Sequence, residues 1–200
     1  MPPKLVSSVA DVLKELKTRR IHLDSLLIAI DGRGGAGKSS FARNLVAEIP
    51  GSVHIEYDWF HFPKSQVTSE KRFDHSRVLR ELIEPFIRGV RSFQLRRYNW
   101  GFLAGIEDGF HADPVIIDSA TTLVIEGCDA LNRELAAYYG LRIWIDTDAA
   151  ECHRRGVRRD IEDYKLDPDK VKECWREWVA QDEDFLRLDD RRGRADLLVK

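Results

Sequence analysis

The chain has little sulfur, no dominant charge and no long apolar run. Its 200 residues include three cysteines and one methionine. Cys128, Cys152 and Cys174 lie far apart, form no CxxC pair and are odd in number, so the sequence describes no disulfide framework. This cysteine usage fits a reduced, cytoplasmic protein. No stretch approaches the ~20 apolar residues of a membrane span, and the N-terminus lacks the apolar core of a signal peptide. Lys+Arg is 32 and Asp+Glu is 34, a formal balance of −2. That balance gives no electrostatic reason to expect a nucleic-acid or membrane partner. Internal repeats and low-complexity segments are missing too. With 43% hydrophobic residues the chain can bury a core, and its length fits one domain, residues 1–200, with room for a small mobile insertion.

What is present is an alternation of short apolar runs and helical patterns. Leu5, Val9, Val12, Leu13 and Leu16 recur at helical spacing, which predicts a leading helix over 5–20. LLIAID (26–31) is a continuous apolar run, as expected of a strand covered on both faces. Further strands are predicted at SVHIEY (52–57), TTLVIEG (121–127) and LRIWIDT (141–147), and helices at 75–89 and 131–139. Asp148 followed by Glu151 reads as a capping box opening a helix through 152–163. Segment 92–120 is less regular; the partial alternation of SFQLRRYNW predicts a hairpin there. The alternating order implies an α/β fold with a five-stranded parallel sheet flanked by helices.

Between the run 26–31 and the helix pattern of Phe41, Leu45, Val46 and Ile49 lies Gly32-Arg33-Gly34-Gly35-Ala36-Gly37-Lys38-Ser39, followed by Ser40. This is GxxxxGK[ST], the phosphate-binding loop. Glycines let backbone N–H groups converge on phosphate oxygens, and the helix beginning near Lys38 adds its dipole. Lys38 would reach the β- and γ-phosphates, and the Ser39 hydroxyl would ligate Mg²⁺. The expected cofactors are therefore ATP and Mg²⁺.

A second acidic site is expected at a neighbouring strand end. Asp58 after SVHIEY and Glu126 within TTLVIEG both qualify; helix capping or turn polarity is the plainer alternative. The chain has no NKxD guanine-recognition sequence and no LSGGQ-like signature, which argues against GTPases and transport ATPases. Arg154, Arg155, Arg158 and Arg159 could form the base of a lid over about 155–170. Alternatively they are a solvated helix face pairing with Glu151, Glu162 and Asp163.

From about residue 26 to 199 the chain resembles the uridine kinase and phosphoribulokinase group of phosphate-loop kinases. The matching pieces, in family order, are IAIDGRGGAGKSS, YDWFH, RFDHSRVLRELI, LVIEG, IDTDAAECHRRGVRRD and ADLLV. The resemblance implies a three-layer phosphate-loop fold with a small lid. It implies transfer of a γ-phosphate to a small-molecule hydroxyl, with a nucleoside as the leading acceptor. Asp58 matches the family's general base near Mg²⁺, Asp74 the residue that bonds the acceptor's ribose hydroxyls, and Glu126 the metal-side carboxylate. Tyr98 stands where the family carries a Tyr-Asp pair contacting the base, and Arg159 looks like the lid-base arginine turned to the triphosphate. Departures fall on the acceptor side, about 92–112. Asn99 replaces the aspartate and Trp100-Gly101 follows; the base-reading His-Ser-Arg has no clear counterpart, His111 being a distant candidate. Gly156 falls where the family often has a sugar-contacting arginine, leaving Arg155 to shift into that role or the contact to be missing.

Trp59, Phe60 and Phe62 are candidates for an apolar wall or for the core, and His61 and His75 for surface or capping histidines. Trp175 and Trp178 are expected to pack the helix after the lid. Arg191-Arg192-Gly193-Arg194 is either a loop near adenine or a solvated turn. Rival functions are phosphorylation of another alcohol, such as a pantothenate- or sugar-phosphate-type acceptor, and a regulatory NTPase. A homo-oligomer is compatible with the sequence.

Overall fold

A computed structural model describes residues 2–19, 21, 25–68, 71–100 and 109–200. Its centre is a six-stranded sheet built from β1 (Lys4–Val6), β2 (Leu26–Gly32), β3 (Ser52–Glu56), β8 (Thr122–Glu126), β9 (Leu141–Ile145) and β10 (Leu197–Val199). The strands lie in the order β1-β10-β9-β2-β8-β3, every neighbouring pair parallel. Alternation along β2 explains its unbroken apolar run: Leu27 and Ala29 enter one core, and Leu26, Ile28 and Ile30 enter the other. Both faces are covered, as a parallel sheet requires. The expected three-layer α/β architecture is present, with six strands in place of five.

The additional strand is β1. Its three residues pair with β10 at the sheet edge, and Leu5 is 58% exposed there. The leading helix α1 is therefore shorter than 5–20 and spans Val9–Thr18. Ser8 sets its start: the Ser8 hydroxyl accepts from Asp11 N at 3.2 Å, satisfying one of the unpaired first-turn amides. Helix α2 (Lys38–Glu48) follows the glycine loop and buries Ala42 and Leu45. After β3, a 3₁₀ turn over Tyr57–Phe60 carries Asp58. The helix expected at 75–89 is continuous but mixed: α3 (His75–Val78), a π-helical stretch (Leu79–Ile83) and α4 (Glu84–Ile87).

The hairpin expected after residue 92 is two small antiparallel ladders. β4 (Ser92–Leu95) pairs with β7 (Val115–Asp118), and β5 (Tyr98–Asn99) with β6 (Gly109–Phe110). Gly101 lies outside the described residues. The helix expected at 131–139 is replaced by turns and a 3₁₀ segment, Ala136–Tyr138. The amides of Asp129 and Leu131 bond Asp31, and the remaining residues before β9 are too few for a stable helix. Helix α5 (Ala149–Glu162) opens on Asp148, whose carboxylate accepts from Ala150 N and Glu151 N. Helices α6 (Pro168–Leu188) and α7 (Arg191–Arg194) complete the chain before β10. Among the described residues no helix is long and apolar enough to cross a membrane.

Because Leu45 is fully buried on the helix that carries the glycine loop, Leu45→Ala should cost about 2–5 kcal/mol. Urea unfolding at unchanged m-value measures it; a loss below about 1 kcal/mol would mean that α2 is not anchored through this face.

Candidate active site

The loop 32–37 joins the C-terminal end of β2 to the first turn of α2. Gly35 and Gly37 have φ of 79° and 98°, values that favour glycine. Gly35 is constrained a second time: a Cβ there would overlap the Cys152 carbonyl of α5, far inside the 3.0 Å that Cβ atoms essentially never breach. Beyond Gly37 there is open space within 4 Å. Thr147 Oγ1 donates to Ala36 O at 3.0 Å and ties the loop to the segment after β9.

Lys38 is buried, and its Nζ donates to Gly32 O (3.0 Å) and Arg33 O (2.9 Å) and meets Cys128 Sγ at 3.3 Å. Burial works against its charge, but Cys128, Glu126, Asp31 and Asp58 outweigh it and hold the ammonium above its ordinary pKa. Burial likewise pushes the Cys128 thiol up to about 11, so it stays protonated. Glu126 ends β8 with 5% exposure. Burial raises its pKa, yet His54, Lys38 and the bonded Ser39 hydroxyl bring it below the ordinary value; His54 Nε2 stands 3.4 Å away.

Asp58 lies at the crevice mouth, its outer surface open to water. Desolvation by the crevice walls, followed by the charge of Glu126, pushes its pKa up to about 6. Lys38 and Arg159 oppose the rise. Lys38, Ser39, Glu126 and Asp58, drawn from three segments, are thus electrostatically coupled in one crevice at the carboxyl ends of β2, β8 and β3. Among the described residues no cluster of three or more His, Cys, Asp or Glu could hold a metal by itself. The donor set is a hydroxyl and carboxylates. That fits Mg²⁺, which favours oxygen ligands and is commonly bound by one or two carboxylates together with substrate phosphates and water.

The acceptor-side residues are distributed differently. Asp74 N donates to Phe60 O at 2.9 Å, linking α3 to the Asp58 turn. One Asp74 oxygen caps α3 through Arg77 N at 2.9 Å. Asp74 also lines a cavity of about 310 Å³ with Arg72, His75, Asp129 and Asn132. Tyr98 is buried, its ring 5.0 Å from that of His61 and 5.1 Å from that of Trp100. His61 is therefore part of an aromatic stack, and His75 pairs with Asp129 at 2.9 Å; neither is a plain surface histidine. Phe60 belongs to the core, and Trp59 packs on its edge.

The arginine cluster divides. Arg154 and Arg155 both grip Glu151 on the exposed face of α5, and Arg158 stands 4.0 Å from Glu162. Arg155 bonds Glu151 there through Nε, with its side chain 47% exposed. Arg159 differs: its Nη2 pairs with Asp160 at 2.7 Å, and it acts on the charge of Asp58.

A buried charge node went unread in the sequence. Asp31 has 0% exposure and Arg191 1%. Arg191 contacts Asp31 at 3.5 Å, Asp129 at 3.6 Å and Asp182 at 3.1 Å. Asp31 also accepts from Gly32 N at 2.6 Å and Leu131 N at 2.9 Å. Burial raises the Asp31 pKa, with Arg191 and the Leu131 amide opposing it. Within RRGR, only Arg191 turns inward; Arg192 pairs with Asp146, and Arg194 with Asp189.

No protein-family model matches the chain. It is 27% identical over 169 residues to a uridine kinase of Ureaplasma parvum serovar 3, covering 78% of each chain. It is 29% identical over 164 residues to a uridine kinase of Saccharomyces cerevisiae, covering 76% of this chain and 32% of the yeast protein. Among solved structures, a protein of Silicibacter sp. TM1040, provisionally assigned as a fructose transport system kinase, superposes with TM-score 0.67. That match is 20% identical and spans 98% of this chain and 100% of the other. A possible uridine kinase of Bacillus stearothermophilus gives TM-score 0.63 at 13% identity, over 96% and 97% of the two chains. These structural likenesses show the fold.

Replacing Arg191 with Met would leave Asp31, Asp129 and Asp182 without their shared cation. The variant should lose about 3–5 kcal/mol, measured by chemical unfolding; a loss under about 1 kcal/mol would remove the node as a structural tie.

Proposed function

We propose that this chain, a phosphate-loop kinase of the uridine kinase and phosphoribulokinase group, transfers the γ-phosphate of Mg²⁺-ATP to a hydroxyl of a small molecule, with a nucleoside as the leading acceptor. The observation that carries the reading is the crevice in which Lys38, Ser39, Glu126 and Asp58 interact beside the glycine loop. The amides of residues 32–40 and the Lys38 ammonium would cradle the β- and γ-phosphates. Ser39 and Glu126 would hold Mg²⁺, with Asp58 nearby, and the metal would neutralise charge on the bridging oxygens. Lys38 bonds two loop carbonyls in this structure, so triphosphate oxygens would replace those partners.

Asp58 is suited to orient the acceptor hydroxyl and take its proton. A pKa of about 6 leaves it ionised at neutral pH and more basic than an ordinary carboxylate. Arg159, fixed by Asp160, would meet the charge developing on the transferred group. Sugar-phosphate and pantothenate-type acceptors and a regulatory NTPase are the rival readings. Acceptor-stimulated ADP release separates them, since a switch would hydrolyse at a rate no small molecule changes.

Asp58→Asn should retain ATP binding and lose transfer by about 10²–10⁴-fold, because an amide cannot accept the proton. Calorimetric titration and ADP release read the two effects; wild-type turnover would exclude Asp58 as the base. Lys38→Ala should weaken triphosphate handling in the same assays, and unchanged kinetics would sink the phosphate-loop reading.

A further inference from the structure

β3 is the outer strand of the sheet beyond β8, and the pleat sorts its side chains by face. Ile55 is fully buried in the core that also holds Leu27 and Ala29, with Val53 packed against it. His54 and Glu56 therefore turn to the opposite face. On β8 the same alternation sends Leu123 and Ile125 to the Ile55 side, and Val124 to the cluster of Ala42 and Leu45 on α2. Glu126, two residues after Val124, lies on that second face. Parallel register sets His54 level with Val124, and Glu56 level with Glu126. His54 thus stands one step back from Glu126, on the face covered by α2, whose first turn carries Ser39.

An apolar residue would be the ordinary neighbour of Val124 there. The histidine instead brings a polar atom into the wall. Its Nε2 is buried and makes no other hydrogen bond among the described residues; Glu126 Oε1 stands 3.4 Å from it. With a carboxylate as its neighbour, Nε2 carries the ring proton. The distance is long for a hydrogen bond, as catalytic contacts often are before ligands bind.

Glu126 needs such a donor. It is 5% exposed, and a buried carboxylate keeps its charge only when paired and hydrogen-bonded. Burial raises its pKa; His54 is the strongest influence opposing that rise, ahead of Lys38 and Ser39. Those two have other work under the kinase reading. Lys38 would turn to the triphosphate, and the Ser39 oxygen would ligate Mg²⁺. The hold of His54 on Glu126 is undivided. A donor fixed to one carboxylate oxygen limits rotation of the group and leaves the other oxygen to the metal side, as outer partners of metal ligands do.

We propose that His54 is a positioning residue: its Nε2–H, directed at Glu126, orients the carboxylate that would share Mg²⁺ with Ser39. This deepens the kinase reading and rests on it.

The test is metal affinity in the complex with a non-hydrolysable ATP analogue, with Mn²⁺ as the probe, read by electron paramagnetic resonance. His54→Phe keeps a ring without the N–H, and His54→Val suits a strand beside Val124. Each should weaken Mn²⁺ binding by about 10–100-fold, while analogue binding without metal stays within about twofold of wild type. His54→Gln, which carries an amide N–H near the place of Nε2, should restore Mn²⁺ affinity to within about threefold. Thermal unfolding checks that each variant is folded. Unchanged Mn²⁺ affinity in the donor-free variants overturns the proposal. So does a parallel loss of metal-free analogue binding, or a failure of His54→Gln to rescue, since either makes the contact merely structural. These outcomes leave the kinase reading intact, because each is measured against a wild type that binds Mn²⁺ and the analogue together. A wild type that binds neither removes both.

Discussion

The site depends on one buried carboxylate. Asp31 ends the apolar part of β2, and such a charge is tolerable in a core only when paired and hydrogen-bonded. Its partners come from three places: the first amide of the glycine loop, the turn after β8, and Arg191 in α7. Satisfying Asp31 therefore also fixes the geometry of function. The loop leaves β2 in one direction, and the turn holding Cys128 and Asp129 is drawn against it. Lys38 and Glu126 end up on facing walls of one crevice. Arg191 then reaches Asp182, which brings α6 across the loop, where Arg33 meets Glu183 at 2.5 Å.

The donor half of this arrangement was legible because phosphate chemistry demands it. A strand, converging amides, a lysine and a hydroxyl leave few choices of residue, and the resulting pattern is contiguous. The capping of α5 by Asp148 was legible for the same local reason. The charge node was not: Asp31, Asp129 and Arg191 are polar residues at element ends, where solvated turns look identical, and Asp182 sits within the charged run of α6. Their pairing spans up to 160 positions, and only tertiary contact reveals which of three neighbouring arginines turns inward. β1 was missed because three residues carry too little periodicity, so Leu5 was drawn into the helical pattern that properly begins at Val9. The 131–139 segment has an apolar pattern, but its entry is held in the turns around Asp31.

The acceptor half followed no such rule. Gly156 read as a missing arginine, and the sequence offered Arg155 as its neighbour and substitute. Arg155 is one turn from Glu151, which already takes Arg154, and the pair sits in water where little holds it to any other task. The space beside Gly156 is filled instead from α6, nineteen positions further along, by the indole of Trp175, which is recognisable only by the shape it fills.

Gly35 and Gly156 together describe how α5 is mounted. The carbonyl of Cys152 presses on Gly35 of the loop, and one turn later Gly156 receives the indole of α6. Both contacts are too close for a side chain, so α5 cannot slide along the loop or roll against α6 without a steric clash. The Asp160 bonds to Trp175 and Arg159 extend this rigid mount one further turn. Beyond Asp160 the chain leaves this mount and turns into α6 through 163–167, where Lys165 has φ of 55°. Arg159 is tied to the same mount through Asp160, and under the proposed kinase reading that tie would preorganise it for charge stabilisation, where an electrostatic contribution to catalysis is largest.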